Sequence, residues 1–135
     1  MDKKEMLAFI KENPMGYLGT VEDNKARVRG METFRVDEKG LIFYTGKIKN
    51  VFKQIAKNPE VEVCYFAKGT QVRVRGKMEI LEDLALKKEI VEKRPFLKAV
   101  HEKSYDSLAV LRLKPVQAST WSVQNITGGT TPVDL

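Results

Sequence analysis

Along most of the chain, short runs of alternating apolar and polar residues are separated by turns of only a few residues. Strands joined that tightly pair antiparallel with their sequence neighbours, because a parallel crossover needs a far longer connection. Strand-like runs at 15–21 and 26–36 flank Glu22-Asp23-Asn24-Lys25, and a third at 41–45 follows Asp37-Glu38-Lys39-Gly40. Runs at 61–67 and 71–81 flank Lys68-Gly69. In the second of these, Val72 and Val74 alternate with Arg73 and Arg75, which predicts one buried and one polar face. Residues 108–113 and 116–123 also read as extended, with Pro115 interrupting or edging them. About six strands result, with three helical segments lodged between them. A small sheet of long, tightly connected strands tends to close, so the expected architecture is an α+β barrel.

The helices are legible from a 3.6-residue period. Met6, Leu7, Phe9 and Ile10 define the first, over 2–13, which Asn13-Pro14 ends. The second, over 47–58, carries Ile48, Val51, Phe52, Ile55 and Ala56 on one stripe and stops at Asn58-Pro59. The third spans 83–103, with Asp83 as N-cap and Pro95 splitting it in two. The tail, 125–135, with Gly128-Gly129 and Pro132, reads as loose, and the glycine pair as a loop rather than a phosphate cradle. Together, 135 residues make one domain of ordinary size.

Composition removes several function classes. One cysteine, Cys64, excludes an internal disulfide, and with a single histidine as well, Cys/His zinc chemistry and a Ser–His triad are poor bets. Cys64 itself reads as a small core residue, His101 as a surface or half-buried helix residue, and Trp121 as core or interface. No apolar run approaches a membrane span and the charged start resembles no signal peptide, so a soluble cytoplasmic protein is expected. The formal charge is +6, yet residues 1–60 and 61–135 carry the same numbers of basic and acidic side chains. There is no basic arm for nucleic acid. Instead the charge is clustered: lysines 39, 47, 49, 53 and 57 without an intervening acid, then Lys68, Arg73, Arg75 and Lys77, and Arg27 with Arg29. Converging clusters of this kind suit a compact anion.

Lys47 and Lys49 are expected in the first turn of the second helix. Cations at a helix N-terminus oppose the dipole, whereas an anion there is favoured. That local cost is the argument for a phosphate facing them; the other reading of the same two residues is solvated surface lysines.

The order from Arg29 to Pro59 carries a resemblance. A strand with a basic residue, an Asp-Glu-Lys-Gly turn, a Phe-Tyr-Thr strand end and a basic helix closing on Asn-Pro lead into a Gln-Val-x-Val-x-Gly-Lys-x-Glu-x-Leu strand. The pattern resembles the FMN-binding split-barrel family of pyridoxamine 5'-phosphate oxidase, with its general-stress-protein-26-like and nitroimidazole-resistance relatives, over roughly residues 5–123. The resemblance implies a six-stranded antiparallel split β-barrel with peripheral helices, working as a homodimer with FMN in the subunit cleft. It implies flavin contacts from Arg29 and Arg27, and from the backbone of Gly30, Met31 and Glu32 along the ring edge. Tyr44 and Thr45 match the strand end, and Lys49, then Lys47 and Asn50, match the phosphate clamp. Gln71 matches a ring contact, and Trp121 an aromatic supplied by the partner subunit.

The oxidases' Arg-x-His substrate motif is missing, since 122–127 contain no basic residue. The resemblance therefore points away from pyridoxamine 5'-phosphate oxidation and toward a flavin reductase that uses NAD(P)H and a small-molecule acceptor, with no catalytic protein side chain and no metal. Two alternatives are a basic β-barrel that binds nucleic acid, and the same fold with F420 or haem. Against the first, Tyr17, Phe34, Phe43, Tyr44, Tyr65 and Phe66 read as barrel packing rather than base-stacking platforms.

Overall fold

A computed structural model describes residues 1–126 and 132–135. The elements run α1 (Lys3–Glu12), β1 (Met15–Glu22), β2 (Lys25–Asp37), β3 (Gly40–Gly46), α2 (Asn50–Lys57), β4 (Glu60–Ala67) and β5 (Thr70–Leu81). They continue with α3 (Leu84–Lys93), α4 (Lys98–His101), β6 (Leu108–Ser122) and β7 (Val133–Asp134), with 3-10 turns at Pro95–Leu97, Tyr105–Ser107 and Val123–Asn125. Strand order is β3-β2-β1-β4-β5-β6-β7, and a further β3–β6 pairing closes β1 to β6 into an antiparallel barrel. The α+β split-barrel expectation holds.

Local chemistry explains the connections. Asp23 (φ 50°) and Asn24 (φ 63°) form the two-residue β1–β2 turn, and Lys68 (φ 50°) with Gly69 (φ 75°) the β4–β5 turn. Left-handed pairs of this kind match the twist of the flanking strands. Asp2 and Asp83 cap α1 and α3 by accepting from Glu5 N (2.8 Å) and Leu86 N (3.0 Å). Residues 108–122 form one strand rather than two runs broken at Pro115. The β5–β6 register shifts between Arg75 and Gly76, opposite Pro115, and a bulge tolerates a residue without an N–H. Gly128-Gly129 and the rest of 127–131 lie outside the described residues, while Val133–Asp134 pairs with Ala118 and Gln117.

Leu18, Met31, Leu41, Phe43, Val63, Tyr65, Val72, Val74, Leu111 and Leu113 fill the barrel, plugged by Met6 and Ile10 of α1 and by Val51 and Ile55 of α2. Each fully buried Leu or Ile is worth about 1.5–3 kcal/mol. A second cluster lies outside β3 and β6, where Ile90 and Val91 of α3 cover Ile42, Leu108 and Val110.

Three expectations need correction. Cys64 is half-buried on the outer face, because its neighbours Val63 and Tyr65 take the inward positions. His101 is buried (5% exposed), folded in beside Gly46 and Ser107. Tyr17 and Phe66 project outward, more than half exposed, and do not pack inside the barrel.

Candidate functional site

β2 carries Arg29 opposite Leu18 and Arg27 opposite Thr20, on the face turned toward α2. Arg27 is exposed, with Nε 3.2 Å from Glu22 Oε1. Arg29 is half-buried and meets only neutral acceptors. Its Nη1 donates to Leu18 O (3.1 Å) and Thr20 Oγ1 (2.8 Å), and its Nη2 to Gln54 Oε1 (2.5 Å). Burial lowers its pKa, and nearby Glu22 partly offsets that. Hydrogen bonds from Gln54 and Arg27 in turn hold the Glu22 carboxyl below its ordinary range. A groove of about 520 Å³ lies between the β1–β2 hairpin and α2, with Glu22, Asp23, Asn24, Lys53, Gln54 and Lys57 in its wall; Arg29, which bonds Gln54, does not line it.

The N-terminal side of α2 forms a separate group. The helix begins at Asn50, not 47, so Lys49 is its N-cap and Lys47 precedes it. Lys49 makes no capping hydrogen bond, and both it and Asn50 are exposed. Lys47 donates its backbone N–H to Ser107 O (2.9 Å) and its ammonium to Glu82 (3.3 Å), which also takes the buried Lys87 (3.2 Å). Among the described residues, Arg29 and the two lysines share no hydrogen-bonding partner.

The remaining candidates divide between two faces. Glu32 turns toward α3 and accepts from Tyr44 OH and Arg94 Nε, both at 2.8 Å. Burial and this carboxylate push the Tyr44 phenol up to about 12. Phe34 packs edge-on to Tyr44 beneath the Arg94 guanidinium. Met31 is buried in the barrel and offers only backbone. Thr45 is half-buried opposite Ala109. Gly30 is exposed beside Tyr17, with nothing within 4 Å of where a Cβ would stand. Gln71 and Trp121 are direct cross-strand partners, both half-buried.

Gln54 and Thr20 escaped the sequence reading. Helix α2 buries Val51, Gln54 and Ile55, while Ile48 is 82% exposed and lies before the helix. A glutamine three residues after Val51 is a polar group on the buried stripe, and that position is the signal by which it could have been found. No group of three or more His, Cys, Asp or Glu able to hold a metal occurs among the described residues. No helix among them is long and apolar enough to cross a membrane.

A family model described as pyridoxamine 5'-phosphate oxidase matches residues 2–122. Among solved structures, the chain is similar to a NimC/NimA family protein from Clostridium acetobutylicum (TM-score 0.79, 27% identity, covering 98% of this chain and 91% of that one). It is also similar to General Stress Protein 26 from Bacillus anthracis (0.76, 22%, 98% and 100%). A third similar structure is a protein related to general stress protein 26 from C. acetobutylicum (0.77, 13%, 100% and 97%). Among curated proteins, none matches.

Proposed function

The chain belongs to the pyridoxamine 5'-phosphate oxidase family, and from that premise we propose that it is a cytoplasmic FMN-binding oxidoreductase, a homodimer with the flavin in the cleft between subunits. Its partners in this reading are NAD(P)H and a small-molecule acceptor. The observation that carries the reading is the state of Arg29. A half-buried guanidinium ordinarily meets a carboxylate, yet this one is pinned by a carbonyl, a hydroxyl and an amide. It makes no direct ion pair among the described residues, and the groove lined by its partner Gln54 carries Lys53 and Lys57 together with Glu22 and Asp23. A guanidinium without a direct carboxylate partner fits a phosphate, the only dianion FMN carries.

Bound FMN supplies the redox chemistry. The protein's own residues bind and orient it. Arg29 takes the phosphate, and Lys49, at the uncapped end of α2, adds positive potential beside unpaired helix N–H groups. Gln71 and Trp121 lie side by side to meet the ring, and Gly30 leaves room for it. Lys47 is a weaker candidate than Lys49 because Glu82 engages its ammonium. Haem finds no open imidazole here, since the single histidine is buried with Nδ1 on Ser107 Oγ (2.7 Å).

The test is a titration of the purified protein with FMN, followed by absorption and fluorescence, and then anaerobic addition of NADH or NADPH. Saturable binding and bleaching of the flavin band are expected. Substituting Arg29 and Lys49 together should abolish FMN retention. A protein that ignores added FMN overturns the reading.

A further inference from the structure

Gln54 occupies an unusual position between two opposite charges. Its Oε1 accepts from Arg29 Nη2 (2.5 Å) and from Thr20 Oγ1 (2.6 Å), and its Nε2 donates to Glu22 Oε2 (3.3 Å). Thr20 Oγ1 also accepts from Arg29 Nη1 (2.8 Å), so arginine, threonine and glutamine close a hydrogen-bonded ring. The ring fixes the guanidinium plane and settles the amide orientation, because the flipped amide would set NH2 against the guanidinium. Gln54 is 6% and Thr20 3% exposed, so neither is a casual surface partner.

The chemistry of the side chain matters as much as its place. A carboxylate here would form a buried ion pair with Arg29 and cancel its charge. The amide has the same shape and no charge. It also separates Arg29 from Glu22, accepting from the cation on one side and donating to the anion on the other. Glu22 is left to pair with Arg27 at the surface. We propose that Gln54 is a positioning residue that keeps Arg29 oriented and out of direct contact with Glu22, and that this makes the guanidinium select a phosphorylated flavin over an unphosphorylated one. The proposal rests on the flavin reading above and extends it to the origin of selectivity.

Four proteins test it: wild type, Gln54→Glu, Gln54→Ala, and Gln54→Ala combined with Glu22→Gln. Each is titrated with FMN and with riboflavin, after circular dichroism and a thermal melt confirm folding. Gln54→Glu should weaken FMN about tenfold or more, the scale of losing one charge-assisted contact, and leave riboflavin nearly unchanged. Gln54→Ala should do the same as Glu22 closes on Arg29, and Glu22→Gln in that background should restore most of the FMN affinity. Parallel loss of both flavins, or an unchanged FMN-to-riboflavin ratio, overturns the proposal, as does failure of the double variant to recover. If wild type binds neither flavin, the flavin reading fails by itself. Inorganic phosphate titrated into the same four proteins by NMR then decides the role of Gln54, which is overturned if all four bind phosphate alike.

Discussion

At the scale of single residues, glycines separate space the fold needs from space the site needs. Gly40 adopts φ +137°, and a Cβ there runs into the Leu113 carbonyl oxygen. Gly40→Ala is therefore expected to lower the melting temperature sharply, with backbone strain and a backbone clash together costing several kcal/mol, on the order of 3. Gly30 has open space above it and an ordinary backbone. Gly30→Ala should leave thermal stability unchanged or slightly raised, by up to about 1 kcal/mol, because it restricts the unfolded chain. Thermal melts of the two variants check both. His101 supplies a pH-dependent counterpart. Burial holds its pKa below the ordinary 6.5, so the folded chain keeps the ring neutral. A base depressed in the fold binds its proton more readily when unfolded. Its stabilising contribution is thus complete above about pH 6.5 and is lost as the pH falls below that value. Melting temperatures measured between pH 7.5 and 5 should fall less steeply for His101→Gln than for the parent chain. A slope equal in both removes His101 from the account.

Element by element, the strands were more legible than the helix that matters most. Alternation in β4 and β5 and the turn residues at Asp23-Asn24 and Lys68-Gly69 read directly, because period and turn chemistry are local properties. Helix α2 was misread by three residues at its start. Ile48 fitted the apolar period, but the chain turns into the helix only after Lys49, and Ile48 faces solvent. Within the helix the buried stripe is Val51, Gln54 and Ile55, and the groove borders its C-terminal half, at Lys53, Gln54, Lys57 and Asn58, rather than its first turn. No local rule reports that Gln54 meets Thr20, 34 positions earlier in the chain. In the proposed reading, the same element sets folding against binding. Lysine at the N-cap accepts no hydrogen bond and sets a cation against the positive helix end. Lys49→Ser should stabilise the chain by about 1 kcal/mol through capping. It should also weaken FMN, and a variant both more stable and equally tight for FMN would detach Lys49 from the site.

For the whole molecule, closure and outer surface set what the barrel can hold. The β3–β6 pairing joins segments more than sixty residues apart, and β6 serves β3, β5 and β7 in turn, a topology that no turn or period announces. Inside, the barrel is packed with side chains, so a ligand of flavin size must sit outside it. The exposed face of β2, β1 and β4 presents Met15 (60% exposed), Tyr17 (59%), Val28 (71%) and Phe66 (54%) around Gly19 and Gly30. These are apolar groups on adjoining strands, the kind of patch that self-association covers. The Gln71–Trp121 pair continues that face across Phe66, its neighbour in the β4–β5 register. Covering the patch with a second copy would therefore enclose both the apolar surface and the proposed ring contacts, linking assembly to binding. Light scattering on the eluting protein should report twice the 15.4 kDa chain mass. Val28→Lys places a charge in the patch at a position too exposed to disturb the core, and should yield a folded monomer with much weaker FMN binding. A Val28→Lys monomer that keeps the parent affinity would place the flavin within one subunit. The dimer cleft would then be unnecessary, and the Arg29 of one subunit would have to hold the phosphate without it.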